Sequence, residues 1–164
     1  MESILHDIEK ALDYGLYYIA LQSALALPDI CASLESATGE TTGRQYISWY
    51  NDNVSSKYNI RLSGKDCWRF RCSYIHRGST QDPKSSYSRI IFVIPNPTHT
   101  FHNNIFNDAL NIDINIFCRI MIEAVRSWQK SMQNNDNYAK NYSNLIKVYP
   151  NGLAPYMTDI PIIS

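Results

Sequence analysis

Leu62-Ser63-Gly64-Lys65-Asp66-Cys67-Trp68-Arg69-Phe70-Arg71-Cys72-Ser73-Tyr74-Ile75-His76-Arg77-Gly78 is the stretch that decides how this chain is read. Ser63 with Asp66 three residues later is a helix-start signal, because short side-chain oxygens there satisfy amides that no preceding turn serves. Gly78 is the matching stop, the residue that enters a left-handed cap without a Cβ clash. At 100° per residue, Cys67, Trp68, Phe70, Tyr74 and Ile75 gather on one apolar arc, while Lys65, Arg69, Ser73 and His76 fall opposite. Arg71 is the exception. It falls inside the apolar arc, between Cys67, Tyr74 and Ile75.

A lone guanidinium in a dry core is strongly unfavourable, so Arg71 needs a counter-charge. One answer is a carboxylate, for which Glu35, Asp52 and Glu123 are the candidates. The other is a polar cleft where phosphate is the counterion, since a planar five-donor fork matches phosphate oxygens. His76 comes five residues later and points away from Arg71 on a perfect helix. If the last turn unwinds before Gly78, the imidazole swings towards the arginine. A histidine at that position also serves simply to offset the helix dipole.

Outward from this segment the pattern is mainly helical. Ile4, Ile8, Leu12, Leu16 and Ile19 predict one helix over about 3–26, with Pro28 ending it or starting the next, and a short helix over 29–37 closed by Gly39. A helix over 44–57 has Tyr46, Ile47, Tyr50 and Val54 as its buried side, and 59–62 is a connection. Gln81 to Ser88 is a polar loop. The β-branched and aromatic run Arg89 to Ile94, bounded by Pro95 and Pro97, predicts a strand, with a second extended piece near 100–106. Ile114, Phe117, Ile120, Met121, Ala124, Val125 and Trp128 predict a long helix over 113–133. The Asn-rich 133–144 reads as loop, and the Pro-containing tail from Leu145 as irregular chain.

The hexad Arg71-Cys72-Ser73-Tyr74-Ile75-His76, on a helix that ends at a glycine, resembles the R-x(4–6)-H motif of the HEPN superfamily. The run Ala26-Leu27-Pro28-Asp29-Ile30-Cys31, the helix start at Leu62–Asp66 and the late helix from Phe117 to Trp128 are similar to small bacterial, often plasmid-borne, HEPN-like proteins. The resemblance spans roughly 16–128. It implies a mainly all-α fold, a four- to five-helix HEPN-like bundle with a small β insertion around 89–106. The chain is then one domain over 1–164, with its core at about 3–133 and a loop and tail over 134–164.

The resemblance also implies a homodimer gathering the Arg and His of both subunits around one cleft. Its implied activity is a metal-independent endoribonuclease with no cofactor, serving a toxin–antitoxin or phage-defence role. In that role His76 would move the proton of a ribose 2′-hydroxyl or of the leaving 5′-oxygen, and Arg71 would stabilise charge on the phosphoryl oxygens. RNA would leave as 2′,3′-cyclic phosphate and 5′-hydroxyl ends. Ser73, Arg69, Lys65 and Arg77 are the expected substrate contacts. Cys72 departs from the family, whose active members often carry Asn, Asp or His directly after the arginine. A thiol is a poor hydrogen-bonding substitute. The alternative is therefore a catalytically inactive HEPN module that binds a partner protein, such as an antitoxin or defence component, or a nucleotide.

Bulk properties bound these readings. At 164 residues with 45% apolar content the chain supports one real core and is too hydrophobic for a disordered segment. Zero formal net charge argues against coating duplex nucleic acid by bulk electrostatics. Yet Lys57, Arg61, Lys65, Arg69 and Arg77 cluster with Asp66 as the only acid between Lys57 and Arg77. Trp49, Tyr50, Trp68 and Tyr87 are candidates for base stacking, or for core. The acidic start and the short apolar stretch over 15–27 predict a cytoplasmic protein with no secretory leader and no membrane span. Cys31, Cys67, Cys72 and Cys118 form no C-x-x-C pair and read as free thiols. Cys67, Cys72 and His76 lack the spacing and fourth ligand of a zinc site, and His99/His102 sit in a loop without an acid nearby.

Overall fold

Gly15 interrupts what the apolar periodicity joins. In the computed structural model, which describes residues 1–164, the predicted first helix is two, α1 (Glu2–Asp13) and α2 (Tyr17–Glu35). The chain turns between them at Gly15, whose φ of +69° is open to glycine and strained for other residues. Leu16 and Ile19, which continue the periodic stripe in sequence, are exposed as a result. Pro28 does not end the second helix. It is buried inside α2, which runs on to Glu35 and absorbs the predicted 29–37 helix. A proline costs a helix one amide donor and a clash, and here the packing of a nearly all-apolar helix outweighs both.

Thr42 opens α3 (Gly43–Tyr50) with a reciprocal cap, its hydroxyl accepting from the Gln45 amide while Gln45 accepts the Thr42 amide. The helix runs without a break through a π turn (Asn51–Ser55) into α4 (Ser56–Tyr58), stopped by left-handed Asn59. Tyr46, Trp49, Tyr50 and Val54 face the core. Next comes α5 (Gly64–Arg77), closed by Gly78 at φ +59° as predicted.

The β insertion extends further than predicted. β1 (Arg89–Val93) and β2 (Asn104–Phe106) fall near their expected places, but β3 (Ala109–Asp113) lies just ahead of the long helix, where the sequence pattern predicts no strand. The strand order is β1-β3-β2, with β1 parallel and β2 antiparallel to β3. The fold is thus helix-rich but mixed rather than all-α. Asp113 ends the sheet and caps α6 (Ile114–Ser131), accepting the Ile116 amide at 2.9 Å. The expected 133–144 loop contains a further helix, α7 (Asp136–Tyr142). Asn135 caps it, and Asn141 in it donates to the carbonyls of Ser33, Leu34 and Ser36, closing the C-terminal end of α2. Beyond it, β4 (Val148–Tyr149) pairs with β7 (Ile162–Ile163) and β5 (Gly152–Leu153) with β6 (Met157–Thr158), two short ladders in a mostly exposed tail.

α2 is the central element, packed against α1, α3, α5, α6 and α7. Its apolar residues meet Phe117, Met121 and Val125 of α6 in a single core. The sheet docks through aromatics: Phe92 lies 5.0 Å from Phe70 on α5 and 5.1 Å from Phe117 on α6, ring centre to ring centre. Trp128 meets Trp49 and Tyr138 edge-on, tying α6 to α3 and α7. Cys31, Cys67 and Cys118 are buried and Cys72 half-buried, all as free thiols. No helix is long and apolar enough to cross a membrane.

Candidate functional site

The start of α5 is built by Asp66. Its amide is capped by the Ser63 hydroxyl, which in turn donates to Asp66 Oδ2 at 2.7 Å. The other carboxylate oxygen accepts the Ser86 amide at 2.9 Å, tethering the 79–88 loop alongside the helix. Burial alone would raise this carboxyl, but the hydrogen bonds from Ser86 and Ser63 outweigh it and hold the pKa below its ordinary value. A carboxyl depressed by folding stabilises above its unfolded pKa and loses that contribution as pH falls through the folded one. Asp66→Asn is therefore expected to cost about 2 kcal/mol at pH 7. The gap to wild type should close as the pH drops below about 4, measured by urea unfolding across pH. A gap that stays constant with pH would contradict the assignment.

Arg71 has an internal counter-charge. Its Nη2 stands 2.5 Å from Asp29 Oδ2 on α2, with side-chain exposures of 24% and 19%. The acid is none of the three named from sequence. Glu35 instead accepts the Trp128 indole N–H, Asp52 accepts the Ser48 hydroxyl, and Glu123 is exposed on α6. The contact is charge against charge rather than a well-aligned hydrogen bond. Arg71 Nε is buried without an acceptor, and Nη1 reaches only the Cys72 sulfur at 3.9 Å. Burial pushes the Asp29 carboxyl up, and the guanidinium draws it back only in part.

His76 does not swing round. α5 stays regular through Arg77, with the Gly78 amide on the Tyr74 carbonyl at 3.0 Å. Five residues of regular helix separate the Arg71 and His76 directions by about 140°. His76 is exposed and lines a shallow groove of about 400 Å³ between α5 and the 79–88 loop, and Arg71 is not among its walls. The groove gathers Arg69, His76 and Arg77 from α5 and Lys84 from the loop, with Asp82 its one acid; Trp68, Cys72 and Ser73 complete it. Arg69 donates to the Lys84 carbonyl, which holds the loop against the helix. Arg77 donates to the Ser73 hydroxyl at 2.5 Å and stands 3.8 Å from Asp82.

Of the six residues expected at the site, four line this groove, Arg69, Ser73, His76 and Arg77, three of them as cations or bases open to it. Ser73 corrects the helical-wheel placement: it is buried, and its hydroxyl is occupied by Arg77. Lys65 is exposed but lies outside the groove, and Arg71 faces α2. Lys84 was missed because it sits in a polar loop with no periodicity; only the backbone contact with Arg69 brings it in. Trp49 and Tyr50 are core, whereas Trp68 reaches the groove. Cys67 is buried beside the Tyr46 hydroxyl at 3.4 Å while Cys72 and His76 line the groove, so the three do not converge on one point. His102 is half-buried, and desolvation holds its pKa down. Compared with protein-family models, curated proteins and solved structures, the chain finds no match.

Proposed function

We propose that this chain is an HEPN-type helical module that holds single-stranded RNA by its phosphates along the α5 groove, with Arg71 as a structural cation. The family reading rests on the R-x4-H hexad on a helix closed by glycine, within a helix-rich fold. The binding reading rests on one observation: Arg71 already has Asp29 as its counter-charge, whereas Arg69, Arg77, Lys84 and His76 share an open groove with a single acid. Phosphates are the ligand such a set favours, because an arginine fork meets their oxygens in pairs. Trp68 at the groove edge offers a face for an unpaired base, which duplex RNA would not present. The inactive member of the family thus takes precedence over the ribonuclease.

Cleavage is the second reading, favoured by the exposure of His76 beside Arg69 and Arg77. There the imidazole would act on the 2′-hydroxyl and an α5 arginine would face the phosphoryl oxygens, without metal. The homodimer and the toxin or phage-defence role belong with this reading.

Both are tested with a fluorescein-labelled single-stranded RNA 12-mer. Arg69→Ala/Arg77→Ala is expected to weaken binding about 30-fold, and to flatten the slope of log K against log salt by about 1.4, since two phosphates are no longer neutralised. Equal affinity and slope would end the binding reading. Incubation in EDTA decides the second: 2′,3′-cyclic phosphate ends that vanish in His76→Ala would establish cleavage, and intact RNA would exclude it.

A further inference from the structure

β1 has a partner on one side only. The sheet order leaves it at an edge, and residues 89–94 make no backbone or side-chain hydrogen bond outside the β1–β3 ladder. Such an edge displays a row of free amides and carbonyls that natural folds usually cover or blunt with charge. Here it runs along a cleft of about 600 Å³. Ile90 and Phe92 point to one face of the strand and Ile91 to the other, yet all three line the cleft. A space reached from both faces lies along the strand edge. Its opposite wall is the α1–α2 turn with Tyr17, Tyr18 and Leu21, and α5 with Phe70 and Tyr74; the Tyr74 hydroxyl donates to the Tyr18 carbonyl and braces that wall. Tyr18 is 81% exposed and Ile94 61%, so the apolar lining continues to the rim.

One charged residue stands in this lining, Arg89, and no carboxylate lies within ion-pairing distance of it. The occupant is therefore specified three ways: main chain in extended form for the strand edge, apolar side chains for the walls, and a negative group for Arg89. We propose that the cleft binds an extended apolar peptide segment of a partner protein, added to the sheet as a fourth strand beside β1, with an acidic residue against Arg89. The five residues of β1 span about 17 Å, so the paired segment is about five residues long. This site lies across α5 from the basic groove and does not depend on the RNA reading.

The probe is a fluorescein-labelled peptide, Val-Thr-Val-Thr-Val-Glu, followed by anisotropy. Methylating alternate backbone nitrogens, in each of the two phasings, is expected to weaken binding about tenfold in at least one of them, because amides that pair with the edge are removed. Arg89→Glu is exposed and leaves the core untouched; it should weaken binding about tenfold and recover it for the peptide ending in Lys. Arg69→Ala/Arg77→Ala should bind the parent peptide unchanged. Absence of binding at millimolar peptide, or both methylated forms binding as tightly as the parent, overturns the proposal. So does a dimer of the free protein that Ile91→Lys dissociates, which would assign the edge to a second copy.

Discussion

Asp29→Ala is expected to lower stability by about 2–3 kcal/mol, whereas Asp29→Leu/Arg71→Met should stay within about 1 kcal/mol of the native chain. The asymmetry follows from where the charges sit. Removing Asp29 leaves a guanidinium whose Nε is already buried without an acceptor, and no other acid stands within ion-pairing distance. Removing both charges takes away the desolvation cost along with the attraction. Leucine and methionine then fill the space between α2 and α5. The single-mutant loss is set below that of a fully enclosed pair because both side chains keep about a fifth of their surface in water.

The pH dependence carries an opposite sign to that of Asp66. Burial raises the Asp29 carboxyl above its ordinary value of 3.8, so the folded state binds that proton more tightly than the unfolded chain does. Ionised Asp29 thus detracts from stability at neutral pH, and the native chain regains this as pH falls through the raised value towards 3.8. The double variant lacks the gain, so it compares best at pH 7 and worse with added acid. Urea midpoints of the three proteins between pH 7 and 4 decide the matter. If the double variant falls as far as Asp29→Ala and also loses RNA affinity, Arg71 acts on ligand and its structural role is refuted.

What the sequence disclosed follows the range of each interaction. The bounds of α5 were legible because Ser63, Asp66 and Gly78 act within one turn of themselves. β1 was legible for the same reason, from its composition and the prolines after it. Arg71 was recognisable as an anomaly, since a cation on an apolar arc is a local contradiction. Its partner was not, because Asp29 lies 42 positions earlier and the pairing depends on how α2 crosses α5. Periodicity failed at Gly15, where Leu12, Leu16 and Ile19 keep the spacing of one stripe although the chain reverses between them. It failed again at α7, a polar helix whose stability comes from the Asn135 cap, the Tyr138–Trp128 contact and the Asn141 bonds to α2 rather than from an apolar face. The groove was half visible: its α5 cations are in the pattern, and Lys84 arrives only through tertiary contact.

Gly64→Ala is expected to cost about 3 kcal/mol or more, the larger effect for the smaller change. Gly64 is the first residue of α5, and its helical backbone needs no special φ; what needs glycine is proximity. A Cβ there would stand 2.5 Å from the Ile47 carbonyl oxygen and 2.8 Å from Asn51 Oδ1. The first obstacle is main chain of α3, which cannot rotate aside. The second accepts the Gly64 amide at 2.8 Å, so moving it gives up a hydrogen bond between the π turn and the start of α5. Restoring ordinary contact requires α5 to lift by about 1 Å at its N-terminus, in a core packed too tightly to follow. The gain in helix propensity from alanine is small at a first-turn position and does not offset this. The melting temperature should fall by about 6–12 °C. Exposed Lys65→Ala, one residue on, should change it by no more than about 2 °C. Tilting α5 also moves Arg69 and Arg77 relative to Lys84, so the surviving folded fraction should bind RNA more weakly than its stability alone accounts for. A Gly64→Ala protein that melts with the native chain would show that α3 and α5 do not approach this closely, and the seating of α5 on α3 would have to be redrawn.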